Sequence, residues 1–451
     1  MNIDRVARSQ SVSLPEHILR RREAGDLDGA VRAIDAFLMR EDLPAMLRDR
    51  LICEKERIRR LPTQYPWNHA QALEKLRELM GEISEEDFDR LEDEGLVDFI
   101  YLNGEKRYFV RFHRSIYKQR RFVKTPDPSN PWLDPMVEEI MTHGEMTKHI
   151  TLDVKLSLVP ESFVPGDYLA HLPYPLEESQ QSEVTLVDGT PDGITDGATG
   201  ARDAWWRKHL DTWEDFHMRY RYVSRIRYAD PLHVPAPATP LYPNTTAPTA
   251  ADLAEEPPFI RFTPYLKALA QEVTQGETTP VGKAWRIYEF ITTKVTYSFV
   301  RDYFQIDNIG EFCAVNLRGD CGLQALLFIQ LCRICGIPAR WQSGMSIDPG
   351  YAGSHDWAQF YLEGWGWLFA DPSYGGSAWR AGNPARHAFY FGNVDPLRMA
   401  ANNRYQASLE PAKQALRVDP YDNQSGELER LGAEVPFTGR EIDCDAVMVE
   451  E

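Results

Sequence analysis

The first 97 residues carry apolar side chains at the three- and four-residue spacing of amphipathic helices. After a first helical stretch, the spacing predicts helices over residues 44–60, 68–80 and 84–94, and prolines separate them. We interpret residues 1–97 as a helical region that packs on the rest of the chain. A docking module for a protein partner is the alternative, although no repeat period supports it.

The next stretch changes to the two-residue period of β-strands. Asn103 and Gly104 stand between apolar and aromatic residues, which is a strong signal for a hairpin. Apolar and polar residues alternate over 150–158, and residues 184–187 and 220–228 add strand-like runs. We therefore predict that residues 98–230 are mainly β and form a sandwich-like domain.

Prolines mark the border of a second core. Residues 231–258 contain eight prolines and are predicted to be a linker or an extended strap. A further domain is predicted over residues 259–400. Residues 401–451 show weaker periodicity, and we predict a C-terminal extension packed on the surface.

The composition indicates a folded protein with an acidic surface. The chain has 451 residues, of which 43% are hydrophobic, and a formal net charge of -18. This charge argues against nucleic-acid binding and against attachment to anionic membranes. The N-terminus has no apolar leader and no run is long enough to span a bilayer, so we expect a cytoplasmic location. We predict no metal and no cofactor.

One helix carries the most distinctive chemistry. From Leu323 to Cys335 the chain is almost entirely apolar, and Gly336 and Pro338 indicate where the helix ends. Cys321 stands at the start of this helix, where unpaired N–H groups favour a thiolate, the nucleophilic form of cysteine. For Cys321 taken alone, a small buried residue that begins a core helix is the alternative.

A predicted hairpin supplies two further groups. Residues 354–362 and 367–373 are typical of two strands joined by a tight turn. If Leu362 faces Gly366, His355 and Asp371 become diagonal neighbours within reach of a hydrogen bond. A shift of one residue would separate them. Taken singly, His355 fits a polar strand end, and Asp371 fits an Asp-Pro pair that ends a strand.

Together, the three side chains match the needs of acyl transfer. This reaction requires a nucleophile, a base that takes and returns its proton, and a group that orients the base. We therefore predict a catalytic set in which Cys321 is the nucleophile, His355 the base and Asp371 the orienting group.

These motifs resemble the transglutaminase-like domain of the papain-like superfamily, over about residues 259–375. Gly-Asp-Cys-Gly around Cys321, His-Asp-Trp at His355 and Asp-Pro-Ser at Asp371 are similar to that family's three active-site motifs. The resemblance implies an α+β fold in which a helix bearing the cysteine packs on an antiparallel sheet. Here the β-sandwich-like domain and the N-terminal helical region precede that core. The resemblance also implies a thiol enzyme of the bacterial type.

Four further side chains are candidates for the site. The family needs oxyanion donors, and Tyr297 and Gln305 are candidates for the side-chain donor. Trp341 and Trp357 are candidates for lining a substrate pocket, because aromatic rings offer a large contact area. Packing in the core is the alternative for both tryptophans.

Three functions fit these residues. The first is a thiol hydrolase, a cysteine peptidase or amidase, that cleaves a peptide or protein amide bond through an acyl-enzyme on Cys321. The second is transfer of a glutamine acyl group to an amine at the same site, as in transglutaminases. Animal members of that family need calcium, and this chain shows no recognisable calcium loop, so we favour hydrolysis. The third is a binding or scaffold protein with a silent site and a partner on the N-terminal helices.

Overall fold

The fold is described from a computed structural model over residues 6, 8–119, 131–348, 351–417, 424–431, 433–435 and 440–450. Within these ranges, no helix is long and apolar enough to cross a membrane. The first part is helical, as predicted. It contains α1 (Glu16–Glu23), α2 (Leu27–Leu38), α3 (Ala45–Gln64), α4 (His69–Met80), α5 (Glu85–Asp93), the strands β1 (Phe99–Leu102) and β2 (Glu105–Tyr108), and α6 (Phe112–Lys118).

The hairpin β1–β2 is closed by the predicted Asn-Gly turn. Asn103 and Gly104 both have positive φ, 50° and 89°, a conformation that this residue pair adopts easily. Tyr108 and Phe112 bury against the apolar faces of α4 and α5. The helical unit therefore continues beyond residue 97, because side chains of the hairpin and of α6 complete its core.

A β-sandwich follows α7 (Leu133–His143). Its first six strands are β3 (Glu145–Leu158), β4 (Gly166–Pro173), β5 (Gln181–Gly189), β6 (Gly193–Ile194), β7 (Asp203–Leu210) and β8 (Phe216–Arg227). The predicted alternation is confirmed in β3, where Ile150, Leu152 and Val154 are fully buried. They pack against residues of the second sheet, such as Leu172 and Trp206.

The second core combines helices with an antiparallel sheet. Its helices are α8 (Pro264–Val273), α9 (Pro280–Lys294), α10 (Ile309–Asn316), α11 (Cys321–Ile334), α12 (Pro372–Arg380) and α13 (Pro384–Phe389). Its strands are β9 (Thr296–Tyr297), β10 (Arg318–Gly319), β11 (Ala339–Asp348), β12 (Tyr351–Leu362), β13 (Gly366–Ala370), β14 (Phe391–Gly392) and β15 (Arg398–Asn402). The larger sheet has the order β14-β13-β12-β11-β15. The helix α11 packs on it, with Phe328 edge-on against Phe360. The chain therefore has the predicted α+β class.

The last strands complete the sandwich. They are β16 (Glu427–Arg430), β17 (Ala433–Glu434) and β18 (Arg440–Glu450). β16 pairs with β4 and β18 pairs with β3, which gives sheets of order β17-β16-β4-β7-β6 and β18-β3-β8-β5. This differs from the predicted surface extension over residues 401–451. The physical reason is that β3 and β4 would otherwise be edge strands with unpaired backbone groups, and the C-terminal strands pair with them. Such pairing between distant segments leaves no local signal in the sequence.

Residues 231–258 form a strap across the hairpin β12–β13. The Trp367 indole donates a hydrogen bond to the carbonyl of Thr246 at 2.8 Å. The ring of Tyr242 packs edge-on against Phe369, with 5.4 Å between centroids. Of the two predicted forms of this segment, the structure therefore shows the strap.

The N-terminal helices pack on the second core at residues 302–307. Gln64 and Asp302 exchange two hydrogen bonds, from Gln64 Nε2 at 2.9 Å and from the Asp302 amide at 2.8 Å. Arg57 forms an ion pair with Asp307 at 2.8 Å. The predicted packing of the helical region on the rest of the chain is thereby confirmed, while a partner on these helices stays a prediction.

Candidate active site

Cys321 is the first residue of α11, and its neighbours are tightly packed. The carboxylate of Asp320 caps the helix by accepting hydrogen bonds from the Leu323 amide, at 3.2 Å, and from the Tyr303 hydroxyl. A Cβ on Gly322 would lie 2.3 Å from that hydroxyl. Glycine after the cysteine is therefore required by the close approach of Tyr303.

The hairpin β12–β13 has the predicted register. Leu362 pairs with Gly366, and pairing continues to Ala370, immediately before Asp371. His355 Nε2 and Asp371 Oδ2 lie 2.7 Å apart, and both side chains are buried. The predicted contact between the imidazole and the carboxylate is confirmed.

Asp371 has a second charged partner that the sequence reasoning missed. Arg398 is fully buried, and its Nη2 donates to Asp371 Oδ2 at 3.1 Å and to Asp395 at 2.8 Å. Its guanidinium also lies over the ring of Tyr374, 4.0 Å from the centroid. No local signal marks this arginine, because it reaches the site only through the pairing of β15 with β11.

Burial and charge decide the protonation of this pair. Burial would raise the pKa of Asp371, but His355 and Arg398 outweigh it and hold that pKa below its usual value. Burial, together with the charge of Arg398, lowers the pKa of His355 by more than Asp371 raises it, which favours the neutral imidazole at neutral pH. Because Nε2 faces Asp371, Nδ1 is the nitrogen that accepts a proton.

The Cys321 thiol points at Asp356, the residue after His355. Its Sγ donates to Asp356 Oδ2 at 3.3 Å. Burial, followed by the charges of Asp356 and Asp320, raises the pKa of the thiol well above its usual value. This differs from the thiolate expected at a helix start, because burial and two carboxylates outweigh the partial charge of the helix end. The sequence reasoning gave Asp356 no role, although its place in the His-Asp-Trp motif was a signal.

The two candidates for the oxyanion side chain lie in different places. Tyr297 pairs with Gly319 in the short sheet beside Cys321. Burial, followed by the charge of Cys321, raises the pKa of the Tyr297 hydroxyl well above its usual value. Gln305 instead donates to the carbonyl of Arg57 at 2.7 Å. Its amide therefore serves the contact with the N-terminal helices, and we do not retain Gln305 as an oxyanion donor.

Both pocket candidates are core residues. Trp341 is 2% exposed and packs edge-on against Tyr405, with 5.1 Å between centroids. Trp357 is 0% exposed, donates to Gln342 Oε1 at 2.6 Å and stacks on the His355 ring. Both indoles are therefore buried in the packing of the core. Trp357 contributes to the site through its contact with His355.

A family model covers the part of the chain that contains the site. The model of the transglutaminase-like superfamily matches residues 267–372, which contain Cys321, His355 and Asp371. A search of curated proteins finds no match.

Several solved structures align with the chain at low identity. One, described as a "putative cysteine protease" from Cytophaga hutchinsonii, is 15% identical with a TM-score of 0.40, over 68% of this chain and 89% of that one. The periplasmic domain of TgpA from Pseudomonas aeruginosa is 15% identical with a TM-score of 0.29, over 54% and 91%. A "putative protease" from Parabacteroides distasonis is 15% identical with a TM-score of 0.22, over 50% and 40%.

The matched residues run from α8 to the start of α12, and they include α11 and the hairpin β12–β13. The helix that begins with the cysteine and the sheet that supports it are the elements that the sequence resemblance implied. Residues 267–372 of this chain are therefore a domain of the transglutaminase-like superfamily.

Proposed function

We propose that the chain is a thiol hydrolase that cleaves a peptide or protein amide bond through an acyl-enzyme on Cys321. The family match supports a thiol enzyme in general terms. The observation that carries the proposal is the buried hydrogen bond of 2.7 Å between His355 and Asp371, together with a cysteine at a helix start whose thiol contacts Asp356, the residue after His355. Nucleophilic catalysis uses such an oriented base beside its nucleophile.

In the proposed reaction, Asp371 holds His355 so that Nδ1 receives the thiol proton. Cys321 first exchanges its hydrogen bond to Asp356 for one to His355. The sulfur then attacks the carbonyl carbon of the amide, and the amine leaves with the proton from His355. His355 next deprotonates a water molecule, which hydrolyses the thioester and restores the thiol. The lowered pKa of His355 suits this role, because a neutral imidazole is the form that accepts a proton.

The backbone N–H of Cys321 and the Tyr297 hydroxyl are the donors we assign to the oxyanion. The raised pKa of Tyr297 keeps its hydroxyl protonated, as a donor must be. Removing one oxyanion donor typically lowers kcat by about 10²–10³-fold. We expect a loss of this size in Tyr297→Phe, with little change in thermal stability.

Turnover of a fluorogenic peptide library tests the proposal. Cys321→Ala is expected to abolish hydrolysis while circular dichroism shows an intact fold. Cys335→Ala is the matched control, because Cys335 follows the other end of α11 and is expected to leave turnover unchanged. Turnover that survives in Cys321→Ala would overturn the proposal.

A fluorescent primary amine added to the same reaction separates the two chemistries. Hydrolysis predicts the free acid as the main product. Amine incorporation that exceeds hydrolysis would assign the site to acyl transfer instead.

A further inference from the structure

Asp356 is a charged side chain at the site that takes no proton and orients no base in the proposed reaction. It is 4% exposed, and its Oδ2 accepts the hydrogen bond of the Cys321 thiol. A carboxylate at 3.3 Å from the sulfur opposes a thiolate, since like charges at this distance repel strongly. Asp356 therefore favours the protonated form of the nucleophile.

The other oxygen of Asp356 is held by the C-terminal segment. Gln424 is 1% exposed, and its Nε2 donates to Asp356 Oδ1 and to the carbonyl of His355 at 2.9 Å. A few residues later the chain enters β16, where Leu428 pairs with Ala170 of the sandwich. Gln424 is thus anchored by a strand of another sheet while its amide binds the carboxylate of Asp356 and the carbonyl of His355.

The charges that face the thiol come from several elements. Asp356 faces it from β12 and Asp320 from the start of α11, and Tyr297 of β9 lies close enough to feel its charge. Arg111, ahead of α6, is the cation that acts on Asp320 and Tyr297. Asp356 is the group among these that bonds directly to the sulfur.

We propose that Asp356 is a positioning residue that keeps Cys321 as a neutral thiol in a resting state, and that Gln424 holds Asp356 in that place. The inference rests on the proposed function, in which Cys321 is the nucleophile. It links the reactivity of the site to the C-terminal segment, because displacement of Gln424 removes one of the bonds that hold Asp356 against the thiol and so favours the turn of the thiol to His355.

The test is alkylation of Cys321 in the full chain by iodoacetamide as a function of pH, read by peptide mass spectrometry. Asp356→Asn keeps the shape of the side chain and removes its charge. We expect the midpoint of alkylation to fall by at least about one pH unit, which makes alkylation near pH 7 about tenfold faster. Asp28→Asn is the control, since it removes the same charge from an exposed position in α2, and Asp356→Glu is expected to restore part of the wild-type profile.

A double-mutant cycle tests the part assigned to Gln424. Gln424→Ala is expected to shift the midpoint in the same direction as Asp356→Asn, and to add nothing in the Asp356→Asn background. Gln414→Ala is the matched control, because Gln414 is exposed in the same C-terminal segment.

An unchanged midpoint in Asp356→Asn, or an effect of Gln424→Ala that is equal in both backgrounds, would overturn the inference. Alkylation needs no substrate, so the outcome is separable from the proposed function. A shifted midpoint without any amide turnover would refute the hydrolase and leave the role of Asp356 standing.

Discussion

Replacement of Arg398 by methionine is expected to destabilise the protein and to weaken the pair of His355 and Asp371. The guanidinium is fully buried and supplies one cation to two buried carboxylates, Asp371 and Asp395. Methionine keeps an unbranched apolar stem in the same space. The substitution therefore removes the charge and leaves both carboxylates without their shared cation.

The size of the effect follows from the remaining partners. Removing one member of a buried ion pair costs about 3–5 kcal/mol, since the other charge stays buried. Asp371 keeps His355 at 2.7 Å, and Asp395 keeps the Tyr390 hydroxyl at 3.0 Å. We therefore expect a loss near the lower end, about 3 kcal/mol in the free energy of unfolding.

The loss should also depend on pH with a definite sign. The pKa of Asp371 is lowered in the folded state, so its stabilising contribution is present above the pKa of an unfolded aspartate, about 3.9. That contribution disappears as the pH falls through the lower folded pKa. The difference between wild type and Arg398→Met should be largest near neutral pH and should shrink in acid.

Urea unfolding followed by tryptophan fluorescence, at neutral and acidic pH, measures both quantities. Arg386→Met is the matched control, because Arg386 pairs at 2.6 Å with Asp134, whose side chain is 56% exposed. A pair of this kind contributes about 0–1 kcal/mol. The reasoning is refuted if Arg398→Met costs no more than Arg386→Met at neutral pH, or if its cost is the same in acid.

Three further outcomes are expected. Burial raises the pKa of Asp302 to about 6, so the folded chain loses stability as the pH rises from the pKa of an unfolded aspartate, about 3.9, to that value. Asp302→Asn should therefore weaken the fall of Tm between acidic and neutral pH. An unaltered pH dependence of Tm would contradict the assignment. Tyr303→Phe removes the hydroxyl that donates a hydrogen bond to Asp320. In urea titrations at neutral pH it should lower the free energy of unfolding by about 1.5–3 kcal/mol, and an unchanged free energy would show that the bond contributes nothing. Gly344→Ala places a Cβ 1.9 Å from the carbonyl oxygen of Met399 and should lower the free energy of unfolding by at least about 1–3 kcal/mol. An unchanged Tm would mean that β15 moves aside to make room for the new side chain.

The elements around the site could be predicted where local rules decide the structure. The length of the turn at Gly366 and the two-residue period of a strand place Leu362 opposite Gly366, and this register brings His355 to Asp371. The apolar run after Cys321 predicts α11 in the same way, because its end is marked by a glycine with positive φ. Such features depend on neighbours along the chain, which the sequence displays directly.

The side chains that surround the predicted set depend on contacts between distant segments. Arg398 arrives on β15, Asp356 meets Cys321 because α11 packs on β12, and Gln424 arrives from the C-terminal segment. None of these contacts leaves a periodic signal, because each depends on how strands far apart in the chain pair and pack. The same holds for the C-terminal strands β16 and β18, because their partners β4 and β3 lie far towards the N-terminus of the chain.

The sequence by itself therefore determined the helix that begins with the cysteine, the register of the hairpin and the three residue types at the site. The tertiary structure decided the direction in which the pKa of Cys321 is shifted and the charges that surround its thiol. Cys321 shows why the two differ. Its place at a helix end is a local property that favours the thiolate, whereas burial and the carboxylates of Asp356 and Asp320 favour the thiol. Desolvation and short-range charge outweigh a partial helix charge, and both exist only once distant segments have packed together.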